Sequence, residues 1–334
     1  MSAAPLVLTC GEPASVAPEI TARAWVALHN TPAHCFFLIG DVHDHAIRMQ
    51  AAGLDIPLKE ILSPVEAFRF FERALPVLHV PLVKPSRPGW IDTRNSDVVI
   101  NVITTAADLC LTKAAAGMVT NPIHKDALYS VGFKHQGHTD FLAALARSRG
   151  HDAQDVMMLV AAGLRAVPIT VHIPLKDVPG RLTSEAIVLQ ALVVQKGLSR
   201  YFGIAKPRIA VTGLNPHAGE NGAMGDEELR VIAPAIKALA AQGMAISGPY
   251  SADTAFHEDA RAGYDAILCM YHDQALIPVK TLDFHGGTNV TLGLPFIRTS
   301  PDHGTALDLA GTGNARPDSL IAAIKLAAEM AARG

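Results

Sequence analysis

Aromatic residues are scarce: Phe, Trp and Tyr make up 5% of the 334 residues. With 49% apolar residues overall, the core must be built from Ala, Leu, Val and Ile, the usual material of α/β layers. Long basic runs are absent, and 28 Lys+Arg stand against 31 Asp+Glu, which argues against a nucleic-acid surface. No stretch reaches the ~18–20 unbroken apolar residues of a membrane helix. The opening MSAAPLVLTCGEP lacks the basic start and long apolar run of a secretory leader. The four cysteines, Cys10, Cys35, Cys110 and Cys269, are scattered and form no CxxC pair. A disulfide framework is therefore not expected, and reduced thiols in the cytoplasm are. Two nucleotide signatures are also missing. No GxGxxG follows a first strand, and the glycine-rich GENGAMG (219–225) lacks the Lys-Ser/Thr of a phosphate loop.

What is present is alternation. Short apolar runs at 5–9, 35–39, 117–120, 156–161, 167–173, 208–213 and 266–270 read as strands. Helical patterns lie at 18–28, 98–113, 140–149, 184–201, 227–241 and 318–332. Strand–helix alternation predicts an α/β fold with largely parallel sheets, and the length allows two domains. The expected division is a discontinuous first domain, 1–131 plus 299–334, and a second domain, 132–298. The Pro- and Gly-rich stretch 81–94 reads as a loop.

Ligands of open α/β sheets bind beyond the carboxyl ends of the strands, so the polar residues there matter most. His172 closes the 167–173 run, His217 lies in LNPHAGE after 208–213, and His272 lies in MYHDQ after 266–270. Each alone is as readily a hydrogen-bonded loop histidine. Together, three neutral imidazoles suit a divalent ion that keeps positions open for substrate. His43 and His45 read instead as a solvated helix start. In GHTD (137–140) the backbone N–H groups and the Thr139 hydroxyl could face an anion, or Thr139 or Asp140 simply caps the helix. Lys280, Asn289 and Arg298 follow the third histidine and together could hold a phosphate or carboxylate.

These stretches resemble one family. GEPASVAPEI (11–20), TNPIHK (120–125), GHTD, LNPHAGE, GPYSADT (248–254), MYHDQALIPVK (270–280) and NVTLGLPFIRTSPDHGTALDLAG (289–311) are similar to the PdxA family, the 4-hydroxythreonine-4-phosphate dehydrogenases of vitamin B6 biosynthesis. The resemblance implies a fold like that of isocitrate and isopropylmalate dehydrogenases, with the active site in the interdomain cleft. It implies a homodimer that shares its sites, with one divalent metal (zinc, magnesium, manganese or cobalt) held by His172, His217 and His272. Substrate contacts would come from His138, Thr139, Lys280, Asn289 and Arg298, with Asp253 reaching in from the partner subunit. The segment 302–317 resembles the cofactor loop of the isocitrate dehydrogenases, which puts His303, Gly304, Asp308 and Asn314 near NAD or NADP. Lys280 or a metal-held water would take the substrate's proton. The chain departs from the family pattern at Ser15-Val16-Ala17, where Gly-Ile-Gly is more usual, and at His124 and Asp140, where Asn and Glu are more usual.

The implied reaction oxidises 4-phosphooxy-L-threonine to 2-amino-3-oxo-4-phosphooxybutanoate, which loses CO2 to give 3-amino-2-oxopropyl phosphate. Two alternatives stand beside it. One is a related dehydrogenase acting on another phosphorylated four-carbon acid or a cis-dihydrodiol. The other, of a different class, is a metal-dependent hydrolase or lyase.

Overall fold

The structure is a computed structural model and describes residues 4–334; the first three residues of the stretch read for a leader lie outside these. The chain divides into two compact units, 1–155 with 294–332 and 156–293 with 333–334. The first unit is discontinuous and includes the helix His138–Ser148, which packs on the helix Ser96–Leu111.

In the first unit, strands β1 (Leu6–Thr9), β2 (Phe36–Gly40), β3 (Leu58–Ile61), β4 (Leu75–His79) and β5 (Met118–Thr120) form a parallel sheet with β12 (Arg298–Pro301), in the order β3-β4-β2-β1-β5-β12. β1 and β2 are buried along their whole length, so they read as unbroken apolar runs rather than as alternation. The helix Asp318–Arg333 buries Leu320, Ala323, Ile324, Ala327 and Met330, a stripe at helical spacing. Each large apolar side chain so buried stabilises the unit by ~1.5–3 kcal/mol.

In the second unit, β6 (Val156–Ala161), β7 (Leu164–Thr170), β8 (Ile209–Thr212), β9 (Ile246–Tyr250), β10 (Ala266–Tyr271) and β11 (Thr288–Leu292) lie in the order β11-β6-β7-β10-β8-β9. The pairs β11/β6 and β6/β7 are antiparallel; β7/β10, β10/β8 and β8/β9 are parallel. β6 and β7 form a hairpin through Ala162 and Gly163, both with positive φ, as a tight two-residue turn of right-handed strands requires. That turn starts β7 at 164 rather than 167, and the strand ends at Thr170, two residues before His172.

His45 corrects the reading of DVHDH. Asp41 caps the helix Val42–Ala51 and His43 is exposed, but His45 is buried, with its Nδ1 2.9 Å from the Asp41 carbonyl oxygen. The four cysteines are free and buried. Among the described residues no helix is long and apolar enough to cross a membrane.

Candidate active site

Three adjacent parallel strands of the second unit, in the order β7-β10-β8, each end at or near one of the three histidines. His172 follows β7, His272 opens the helix His272–Leu282 directly after β10, and His217 lies five residues past β8. The rings of His172 and His272 stand 5.5 Å apart, tilted at 45°. With Thr170, Leu175, Tyr271 and Asp273 they line a cavity of about 210 Å³. His272 Nδ1 lies 2.7 Å from Asp273 Oδ1, which leaves Nε2 to face a ligand, as the orienting carboxylate of a metal-bound histidine does. For Asp273 the sequence leaves open orienting a histidine or capping the turn, and this contact fits the first.

His217 is placed differently. It starts a left-handed run, His217 to Asn221, with φ between 41° and 77°. His172 also has a positive φ, 52°. L-residues hold that conformation only where the surroundings impose it, most often at working sites. The His217 run packs against Glu228, which is buried. Its carboxylate accepts the N–H groups of Leu214 and Asn215 at 2.7 and 2.8 Å and the Asn215 side-chain amide at 3.0 Å. Gly219 lies against the same carboxylate, where any Cβ would collide.

Among the described residues no group of three His, Cys, Asp or Glu side chains already stands at ligating distances. The residues nevertheless fit an ion. Two imidazoles face one cavity, one of them is oriented by a carboxylate, and the third is carried on a loop from the neighbouring strand end. Asp253 is exposed and accepts a 2.5 Å bond from the Ser251 hydroxyl; that bond, with the nearby His217, holds its carboxyl below the usual range.

Gln274 laces these strand ends together. Buried, it accepts from the Thr212 hydroxyl at 2.7 Å and the Met270 N–H at 2.6 Å, and donates to the Gly213 carbonyl at 2.9 Å. The end of β10 and the start of the His217 loop are therefore tied by one amide. Gln274→Leu leaves these partners unsatisfied and should lower unfolding stability by ~2–4 kcal/mol. Chemical denaturation checks this; a change below 1 kcal/mol would refute the lacing.

Lys280, two turns beyond His272 on the same helix, holds its Nζ 5.2 Å from the centre of the Phe284 ring. Asn289, on β11, has a covered side-chain oxygen with no hydrogen-bond partner.

The first unit gathers a second group. Arg298 is buried and its Nη2 and Nε donate to the Thr120 hydroxyl at 2.7 and 3.2 Å. Burial pushes its pKa down to about 9. The ring nitrogen Nε2 of His138 is covered and without a partner. Its pKa is driven well below the usual value, first by burial, then by the charges of Arg298 and Lys125. The charges of both cations thus reach the His138 ring, an arrangement that suits an anion. Lys125 was not singled out from the sequence; only the fold brings it to His138. At the start of this helix Asp140, not Thr139, does the capping, accepting from the N–H groups of Gln136 and Gly137 at 2.7 and 2.9 Å. Thr139 keeps its hydroxyl for other use.

The depressed pKa of His138 sets a pH dependence. Unfolded, the ring takes a proton as pH falls below ~6.5; folded, it resists until a lower pH. Stability is thus present above that value and is lost as pH falls toward the folded pKa. His138→Gln should flatten the acid limb of melting temperature between about pH 6.5 and 5. A limb of unchanged slope would contradict the assignment.

His303, Gly304, Asp308 and Asn314 are all exposed, on the irregular stretch between β12 and the last helix.

The fold is that of an α/β protein in which imidazoles follow the carboxyl ends of parallel strands, where such folds bind their ligands. The model of the family "Pyridoxal phosphate biosynthetic protein PdxA" matches residues 33–327. The chain belongs to that family. A curated 4-hydroxythreonine-4-phosphate dehydrogenase of Caulobacter vibrioides is 51% identical over all of this chain and 99% of its own length. A crystal structure of the Klebsiella pneumoniae 4-hydroxythreonine-4-phosphate dehydrogenase superposes with a TM-score of 0.88 at 38% identity, covering 98% of this chain and 100% of that one. The terephthalate 1,2-cis-dihydrodiol dehydrogenase of Burkholderia xenovorans gives 0.66 at 25% identity, covering 98% of both chains.

Proposed function

We propose that this chain is a metal-dependent, NAD- or NADP-linked dehydrogenase of 4-phosphooxy-L-threonine, yielding 2-amino-3-oxo-4-phosphooxybutanoate and, after CO2 loss, 3-amino-2-oxopropyl phosphate. The observation that carries it is the 51% identity, over the whole chain, to a curated enzyme of that name. The identity to the dihydrodiol dehydrogenase is half as high, and the hydrolase or lyase reading is not favoured.

His172, His217 and His272 would hold the ion, which when bound polarises the substrate's hydroxyl and later its ketone. A bound dinucleotide would supply the hydride acceptor. Arg298, His138 and Thr139 grip an anionic end of the substrate, and Asn289 offers its unpaired side-chain oxygen as an acceptor. Lys280 takes the hydroxyl proton as the hydride leaves. Anchoring both ends fixes the C–H bond relative to its acceptor. His303, Gly304, Asp308 and Asn314 would hold the dinucleotide.

The test is absorbance at 340 nm with 4-phosphooxy-L-threonine and each dinucleotide, after EDTA treatment and with zinc, magnesium, manganese or cobalt added back. Turnover that needs one of these ions is the expected result. Full turnover in chelator overturns the metal assignment; no turnover with any combination overturns the substrate.

We further propose a homodimer in which Asp253 serves the partner's site. Mixing the inactive variants Asp253→Ala and His217→Ala should then restore about a quarter of wild-type activity, since half the dimers are hybrids with one intact site. If mixing restores nothing, Asp253 acts within its own subunit.

A further inference from the structure

The stretch 302–317 contains no helix or strand. All four residues proposed for the dinucleotide lie on it, exposed. A loop of this length inside a compact unit takes its shape from whatever fastens it. Its fasteners come from the first turns of the helix Ala17–Leu28 and from the loop at 88–89. The Gly311 N–H donates to Glu19 Oε1, and Arg23 Nη2 donates to the Gly313 carbonyl at 2.6 Å. The Val16 N–H donates to the Thr305 carbonyl at 3.2 Å. Gly311 has a φ of 80° and lies so close to Pro88 that a Cβ would stand 2.7 Å from the proline ring.

Glu19 and Arg23 are four residues apart, on one face of the helix. One accepts from the loop backbone and the other donates to it, two residues further on. Glu19 is wholly buried, and its Oε2 has no hydrogen-bond partner. Keeping a half-satisfied carboxylate away from water is costly. Its hydrogen bond is spent on an exposed loop rather than on the core. Arg48, whose guanidinium feels the Glu19 charge, offsets part of that cost.

We propose that Glu19 and Arg23 are positioning residues for the dinucleotide. They form a two-point clamp on 311–313 that sets the directions in which Asp308 and Asn314, on either side, present themselves. The inference rests on the reading of 302–317 as the dinucleotide loop, and its test separates the two.

Hydrogen exchange across 305–314 is measured on the dinucleotide-free protein, and the Kd for NAD and NADP by titration, for wild type, Glu19→Ala, Glu19→Gln and Arg23→Ala. Glu19→Ala and Arg23→Ala should speed exchange in the loop and raise the dinucleotide Kd about tenfold or more, with the KM for the phosphorylated substrate within about twofold. Glu19→Gln keeps the acceptor for the Gly311 N–H and should stay within about threefold of wild type. Arg23 is only partly buried, so its variant serves if Glu19→Ala does not fold. Unchanged exchange in Arg23→Ala overturns the clamp. Faster exchange with an unchanged Kd overturns the assignment of the loop, and the proposal with it. A wild-type protein that binds neither dinucleotide overturns the proposed function itself.

Discussion

His217→Ala should abolish turnover, with kcat/KM falling by about 10³-fold or more, because a three-imidazole site that loses one ligand loses the charge that lowers the hydroxyl's pKa. The protein itself should survive. His217 is exposed, and its loop is held by Glu228 rather than by the imidazole. The melting temperature without added metal should therefore match wild type, while the rise that wild type shows on adding the ion disappears. Metal content by mass spectrometry and thermal melts with and without the ion decide this. A variant that keeps stoichiometric metal and turnover would remove His217 from the ligand set. A variant that melts far lower without metal would make its role structural instead.

Arg298→Ala should raise the KM for the phosphorylated substrate about 100-fold or more, since it deletes a buried, charge-assisted donor from the anion site. The effect on stability should run the other way. Burial pushes the Arg298 pKa down to about 9, so the fold disfavours its charge below that pH. A bound anion would offset part of this penalty. Without substrate the variant should then be no less stable than wild type near neutral pH, apart from the packing lost around Thr120. Inorganic phosphate should stabilise wild type against heat and leave the variant unmoved. An unchanged KM, or equal stabilisation of both by phosphate, would take Arg298 out of the anion site.

The parts of the fold legible in the sequence are those whose burial is uniform. β1, β2, β6, β8 and β10 are nearly continuous apolar runs and stood out. β3 (LKEI) and β9 (ISGPY) lie at sheet edges and expose much of their length; β12 (RTSP) is a buried strand made almost wholly of polar residues and proline. Nothing in such composition separates them from loops. The helix that begins at His272 was hidden by Pro278 in its interior. Of the site, the histidines were legible because strand ends are where α/β proteins bind ligands. Lys125, Glu228, Gln274 and Glu19 were not. Each is an ordinary residue for its helix, and only tertiary placement turns it into a neighbour of His138, an anchor for the His217 loop, a lace between strand ends or a fastener of 311–313.

The three histidines come from three separate strands, at positions 172, 217 and 272, rather than from one helix. That spacing fixes an order of events during synthesis. No stretch of the emerging chain offers an ion more than one of these ligands locally, and β10, which arrives last, pairs between β7 and β8. Ion capture by the proposed full set would therefore wait until residue 272 has left the ribosome and the central strand has slotted in. Metal loading would then report that the strand between β7 and β8 is in place, and a nascent chain stalled before that strand should hold no ion tightly.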